Sequence, residues 1–161
     1  MSRRVLGIDP GTAATGYGVV ESERGRLGRL VECGVLRTDR VDAFAERLVV
    51  LHEGMRDLLD QHRPDVVAVE SIFYGKNVRT SLVMSHARGV ILLAAAQAGV
   101  PVAEFAPAAV KKAVVGRGRA TKAQVGFMVQ QLLRLRQPPR PADAADGVAI
   151  ALAYLLTGIP R

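Results

Sequence analysis

The sequence predicts an α/β fold: a five-stranded mixed sheet, three antiparallel strands followed by parallel ones, covered by helices on both faces. Three observations carry this. Three strand-like segments at the start are joined by short connections, which antiparallel neighbours need. After them, apolar runs of strand length alternate with stretches of helical periodicity, the pattern of strand–helix–strand units. The 161 residues, 49% of them hydrophobic, suffice for one domain with a sizeable core, so residues 1–161 are read as a single domain.

The first strand, residues 3–9, ends "VLGID" on a carboxylate, Asp9. Pro10 and Gly11 follow directly as turn chemistry. Residues 15–22 and 26–37 read as the second and third strands. A helix comes next, because Phe44, Leu48, Leu51, Met55, Leu58 and Leu59 share one face. Asp42 is its expected cap, and Pro64 lies past its end. "DVVAVES", residues 65–71, is almost continuously apolar, as a central strand buried on both faces should be. It too finishes on a carboxylate, Glu70.

Residues 77–98 form a long helix rich in Ala and Leu, closed by Gly99. "VPVAEF", residues 100–105, is the fifth strand. Pro107 opens a short helix reaching about Val114. "GRGRA", residues 116–120, is a flexible basic loop. Thr121 and Gln124 make a capping box for a helix over 122–135, which "QPPRP" stops. Pro141 starts the last helix, running to about Leu156. On it Asp143 and Asp146 share a face, three residues apart, which Ile150 and Ala153 continue. Beside them Ala145, Val148, Ala149, Leu152 and Leu156 form the expected core stripe.

Composition excludes several classes. No run reaches the roughly 18 apolar residues a membrane span needs. "MSRR" is not followed by a signal-type apolar region, and Cys33 is the single cysteine, so a reducing, cytoplasmic setting is expected. Cys33 itself reads as a small core residue, and His52 and His62 as partly exposed. The net charge of +7 is unevenly spread. Residues 71–142 hold eleven Lys or Arg against one acid, Glu104, a net +10; the rest hold eleven basic and fourteen acidic residues, a net −3. Such a concentration of positive charge points to a polyanion partner.

If the first and fourth strands are parallel neighbours, Asp9 and Glu70 emerge at one edge of the sheet, where open α/β sheets build their sites. The Asp143–Asp146 pair joins them from the closing helix. Four crowded carboxylates repel one another unless cations neutralise them. Magnesium commonly binds through one or two carboxylates and completes its shell with phosphate oxygens. Two such ions about 3.5–4 Å apart can clamp both oxygens of a phosphodiester displacement.

"GIDPGTAATGYGVV", "VAVESIFYGKNVRTSLVMSHARGV", "VKKAVVGRGRATKAQV" and "ADAADGVAIALA" resemble, in order and over nearly the whole chain, the RuvC family of Holliday junction resolvases. The resemblance implies a ribonuclease H-like fold, a homodimer, symmetric cutting of four-way junction DNA, and dependence on Mg2+, two ions per subunit, with Mn2+ able to substitute. It implies that Asp9, Glu70, Asp143 and Asp146 are the catalytic acids and metal ligands. Some members carry histidine in place of the first of the closing-helix pair; this chain has Asp143. Phe73 matches an aromatic inserted at the junction crossover, a role Tyr74 would share; an exposed ring stacks on a base for about 1–3 kcal/mol. Lys111 and Lys122 match residues touching phosphates near the scissile bond. Lys112, Arg117 and Arg119 extend that patch, while Lys76, Arg79 and Arg88 would track the arms.

The long helix is a candidate dimer surface. The resemblance also implies cooperation with the RuvA–RuvB branch-migration complex in the bacterial cytoplasm, with no membrane partner. Competing readings are another ribonuclease H-like nuclease, a non-cutting junction-binding protein, and a fragment of an actin-like ATPase. The last shares the "GIDPGT" opening but needs a second lobe.

Overall fold

The computed structural model describes residues 2–24, 26–72 and 77–158. Its elements run β1 (Arg4–Asp9), β2 (Ala14–Glu23), β3 (Arg26–Arg37), α1 (Phe44–His62), β4 (Val66–Glu70), α2 (Val78–Gln97), β5 (Val102–Phe105), α3 (Pro107–Val115), α4 (Lys122–Leu132) and α5 (Ala142–Thr157). The sheet order is β3-β2-β1-β4-β5. β1, β2 and β3 pair antiparallel; β4 is parallel to both β1 and β5. The expected mixed sheet is thus present, with β1 at its centre.

Alternation along the strands sorts the core into two layers. Leu6, Ile8, Val19, Val67 and Val69 pack against α1 and α2 through Leu51, Met55, Leu59, Ala87 and Ile91. Val5, Val20, Val66 and Ala68 face the other way, onto α5, α3 and α4 through Val148, Leu152, Val110 and Val129. Helices therefore cover both faces. The same period of two puts Asp9 and Glu70 on the α5 face, in step with Val5 and Gly7, and with Val66 and Ala68.

The β1–β4 register is locked at the far end. The Arg4 N–H donates to Asp65 Oδ2 at 2.7 Å, and the Asp65 N–H donates back to the Arg4 carbonyl at 2.8 Å. Ile8 then pairs with Val69, so Asp9 and Glu70 follow side by side.

Several local expectations differ from the structure. The α1 cap is Ala43, with no side-chain bond; Asp42 lies one residue too early to reach the first free N–H groups. α4 ends at Leu132, three residues early, because Arg134 takes a left-handed conformation (φ 53°) that turns the chain. His62 is buried, 3.5 Å from Glu32 Oε2, because the end of α1 tucks beneath the sheet. Cys33 is only partly buried, at the margin of the core. α5 is not a two-stripe helix: residues 147–154 are buried all round, while Leu156 is exposed. No helix among the described residues is long and apolar enough to cross a membrane.

Candidate active site

α5 sits directly on the backbone of the sheet because side chains are missing beneath it. A methyl group at Gly16 would overlap the Asp143 carbonyl, and one at Gly7 would overlap the Gly147 carbonyl. Gly16 is the register partner of Asp9. The first turn of α5 is thereby laid beside the end of β1, carrying Asp143 and Asp146 to Asp9. Glu70 arrives from β4, whose exit is fixed by the Ser71 N–H donating to the Phe105 carbonyl at 2.8 Å.

The four acids meet, and their electrostatics show it. The Asp9 carboxyl is pushed up to about 8, first by burial, then by Glu70 and Asp146, and last by Asp143. Asp146 lies within hydrogen-bonding reach, so a protonated Asp9 donates to it. Glu70 is also raised, by burial and by Asp146, with Lys111 and Lys122 pulling the other way. Asp9, Glu70 and Asp146 open into a cleft of about 210 Å³ that Lys111 and Lys122 also line; Asp143 lies beside it and is not one of its lining residues. A larger hollow at the β2–β3 hairpin end, lined by Glu21, Glu23, Arg24 and Arg29, lies away from all four acids.

Lys122 is the first residue of α4. The expected capping box fixes that terminus: the Gln124 N–H donates to Thr121 Oγ1 at 3.2 Å, and the Thr121 N–H donates to Gln124 Oε1 at 2.9 Å. The Lys122 side chain, largely exposed, reaches to 3.3 Å from Asp146 Oδ2, and that carboxylate raises its pKa.

The residues fit a hard divalent cation. All four donors are carboxylates, and burial first, then the neighbouring acids, hold the proton on Asp9. Among the described residues no three His, Cys, Asp or Glu side chains already form a ready metal cage. An open carboxylate edge nevertheless suits magnesium, whose shell is commonly completed by phosphate oxygens and water.

The remaining sequence-predicted contacts divide. Lys111 lies in the cleft wall on α3. Lys112, Arg117 and Arg119 are exposed. Gly118, between the two arginines, packs back against Ala108 at the start of α3, which keeps that loop at the cleft end. Arg79 is exposed in the first turn of α2. Arg88 is instead taken up by an ion pair with Glu104, tying α2 to β5. Phe73, Tyr74 and Lys76 lie outside the described residues. Gly7, Gly16, Gly18 and Gly147 were not foreseen as part of the site. The signal was available, since Gly16 and Gly18 alternate on one face of β2.

A family model described as crossover junction endodeoxyribonuclease RuvC matches residues 5–154. A crossover junction endodeoxyribonuclease RuvC of Parafrankia sp. (strain EAN1pec) is 52% identical over 155 residues, covering 96% of this chain and 87% of that protein. The solved structure of Thermus thermophilus RuvC superposes with a TM-score of 0.87 at 37% identity, covering 97% of this chain and 94% of that one. The T. thermophilus RuvC structure in complex with a Holliday junction substrate gives 0.86 at 35% identity, with the same coverage of both chains. With the ribonuclease H-like sheet, the acid-lined edge and a match spanning nearly its whole length, this chain belongs to the RuvC family of crossover junction endodeoxyribonucleases.

Proposed function

We propose that this chain, as a single catalytic domain, resolves Holliday junctions by metal-dependent hydrolysis of two symmetrically placed phosphodiesters. The observation that carries this reading is the crowding of Asp9, Glu70, Asp143 and Asp146 at one sheet edge, with Asp9 pushed up to about 8. These four acids would hold Mg2+, two ions per subunit, with Mn2+ able to substitute. Such cations, when bound, acidify the attacking water and offset charge on the phosphate.

The chain's own groups do the rest. Asp9, which burial and its neighbouring acids hold protonated, would have to be ionised to serve as a ligand to such a cation. Lys122 shifts from Asp146 to a phosphate oxygen, supported by the free N–H groups of the α4 terminus. Lys111 holds the phosphate from the α3 wall. Lys112, Arg117, Arg119 and Arg79 bind the flanking backbone, and Lys76 with them. Phe73 and Tyr74 separate bases at the crossover. Water adds to phosphorus, the bond to the 3′ oxygen breaks, and that oxygen leaves with a proton, giving a 5′ phosphate and a 3′ hydroxyl.

A twofold substrate calls for a twofold enzyme. α2 exposes Val78, Leu82 and Leu93, and α1 exposes Phe44, Val49 and Val50. The Phe44 ring meets His86 edge-on at 5.6 Å, joining the two helices' outer faces. This apolar surface supports a homodimer with the two clefts facing one junction. The enzyme would act in the bacterial cytoplasm beside the RuvA–RuvB complex.

The test is cleavage of a synthetic four-way junction and a linear duplex, with magnesium and then with a chelator. Paired symmetric cuts in the junction alone, abolished by the chelator, are expected. Binding without cutting in any divalent metal would overturn the proposal.

A further inference from the structure

Two arginines outside the cleft were assigned no part above. Arg136 and Arg140 lie in the segment 133–141, which connects α4 to α5. That connection is held from below: Leu133 and Pro139 are buried, and Leu135 packs against the core. The Leu135 N–H donates to the Gln130 carbonyl at 2.9 Å, and Gln130 Nε2 donates to the Arg136 carbonyl at 3.2 Å. Arg136 and Arg140 are left facing solvent on this fixed base. Among the described residues neither has an acidic partner. No acid occurs between Glu104 and Asp143 in the sequence, so the connecting segment itself carries only positive charge.

Their placement gives them a direction. Asp143 seats on Gly16 of β2, so α5 begins on the β2 side of Asp9. Lys111 stands on α3, which descends from β5 on the other side. Arg140 is three residues before Asp143, just ahead of the first turn of α5. Arg136 lies farther out, beside the last turn of α4. The eleven-residue α4 spans about 16 Å from Lys122 to that turn, or about five base pairs of duplex.

We infer that Arg136 and Arg140 bind the phosphate backbone of one junction arm as it leaves the cleft on the α5 side, within about five base pairs of the cut. This rests on the junction reading above. The contact is with phosphates, so it adds affinity without base preference.

The test measures junction binding by the wild type and by the pair R136Q/R140Q between 50 and 200 mM salt. Each lost phosphate contact should remove about 0.9 from the slope of log K against log salt, and the pair about 1.8. Across that salt range the variant should lose about tenfold less affinity than the wild type. Thermal stability and the cutting rate at saturating junction should stay unchanged, and R136K/R140K should keep the wild-type slope. An unchanged slope in R136Q/R140Q would overturn the inference while leaving the junction reading intact. A slope reduced equally in R136K/R140K would also overturn it, by showing that the arginines act through the loop's shape. A wild type that binds no four-way junction would overturn both.

Discussion

Lys122 Nζ stands 3.3 Å from Asp146 Oδ2, linking the start of α4 to α5 across the mouth of the acid cleft. The contact raises the Lys122 pKa, and the Lys122 charge also pulls Glu70 toward ionisation, against the burial that raises it. Lys122 therefore sits on a carboxylate that would serve as a cation ligand, and carries the charge that would meet a phosphate oxygen. Lys122→Ala should weaken junction binding and flatten its salt dependence by about one unit of slope. The same variant should bind Mn2+ more tightly, since one competing charge is gone. Titrations of DNA and of metal check both, and Lys122→Arg should restore the slope.

Burial and crowding make Asp9 a cost to the cation-free fold. Its folded pKa, about 8, lies above the ordinary 3.8, so between those values the folded state binds more protons than the unfolded one. Stability should fall as pH rises through that window. Asp9→Asn removes the penalty. In chelator it should melt higher than wild type at pH 8, by about 1–3 kcal/mol or about 3–10 °C, and equally at pH 4. Melting curves at the two pH values decide it.

Cation binding should reverse that trend. Mn2+ or Mg2+ favours ionised Asp9, so binding near pH 7 should release protons. Calorimetry in buffers of different ionisation enthalpy reads the number directly. Release should be largest in the wild type and much smaller in Asp9→Asn. The cutting rate should rise with pH from 6 to 8 for the same reason.

Gly16 is the seat of α5. Gly16→Ala puts a methyl into the Asp143 carbonyl, and backbone must move to relieve it. We expect a loss of about 2 kcal/mol or more in a denaturant titration, and slower cutting by the folded fraction because Asp143 is lifted from Asp9.

Leu82, 56% exposed on α2, lies in the apolar surface offered for pairing. Leu82→Lys should shift the protein from dimer to monomer in sedimentation with little change in melting of the monomer. Junction cuts should then fall singly rather than in pairs.

Much of this site was legible because it follows from short-range rules. Strands ending on Asp9 and Glu70, and a three-residue spacing on a closing helix, are local patterns. The parallel β4–β5 pairing follows from the helix between those consecutive strands, whereas the β1–β4 pairing that aligns Asp9 with Glu70 joins strands far apart in the sequence and entered only as a condition. What was not legible depends on contacts across the fold. Gly7 and Gly16 look like weak strand residues until α5 is known to rest on them. Arg88 looks like a free basic residue until β5 brings Glu104 to it. His62 looks half-exposed until the sheet edge covers it. Asp42 has the right chemistry for a cap, but α1 begins one residue too late for it.

The most direct measurement compares wild type and Asp9→Asn on one synthetic four-way junction in magnesium, reading binding and cutting from the same samples. The expected result is that the asparagine variant binds at least as tightly, having lost a negative charge, and makes no cuts. Paired cutting by Asp9→Asn at the wild-type rate would contradict the central claim that the carboxylate ending β1 holds the catalytic cation.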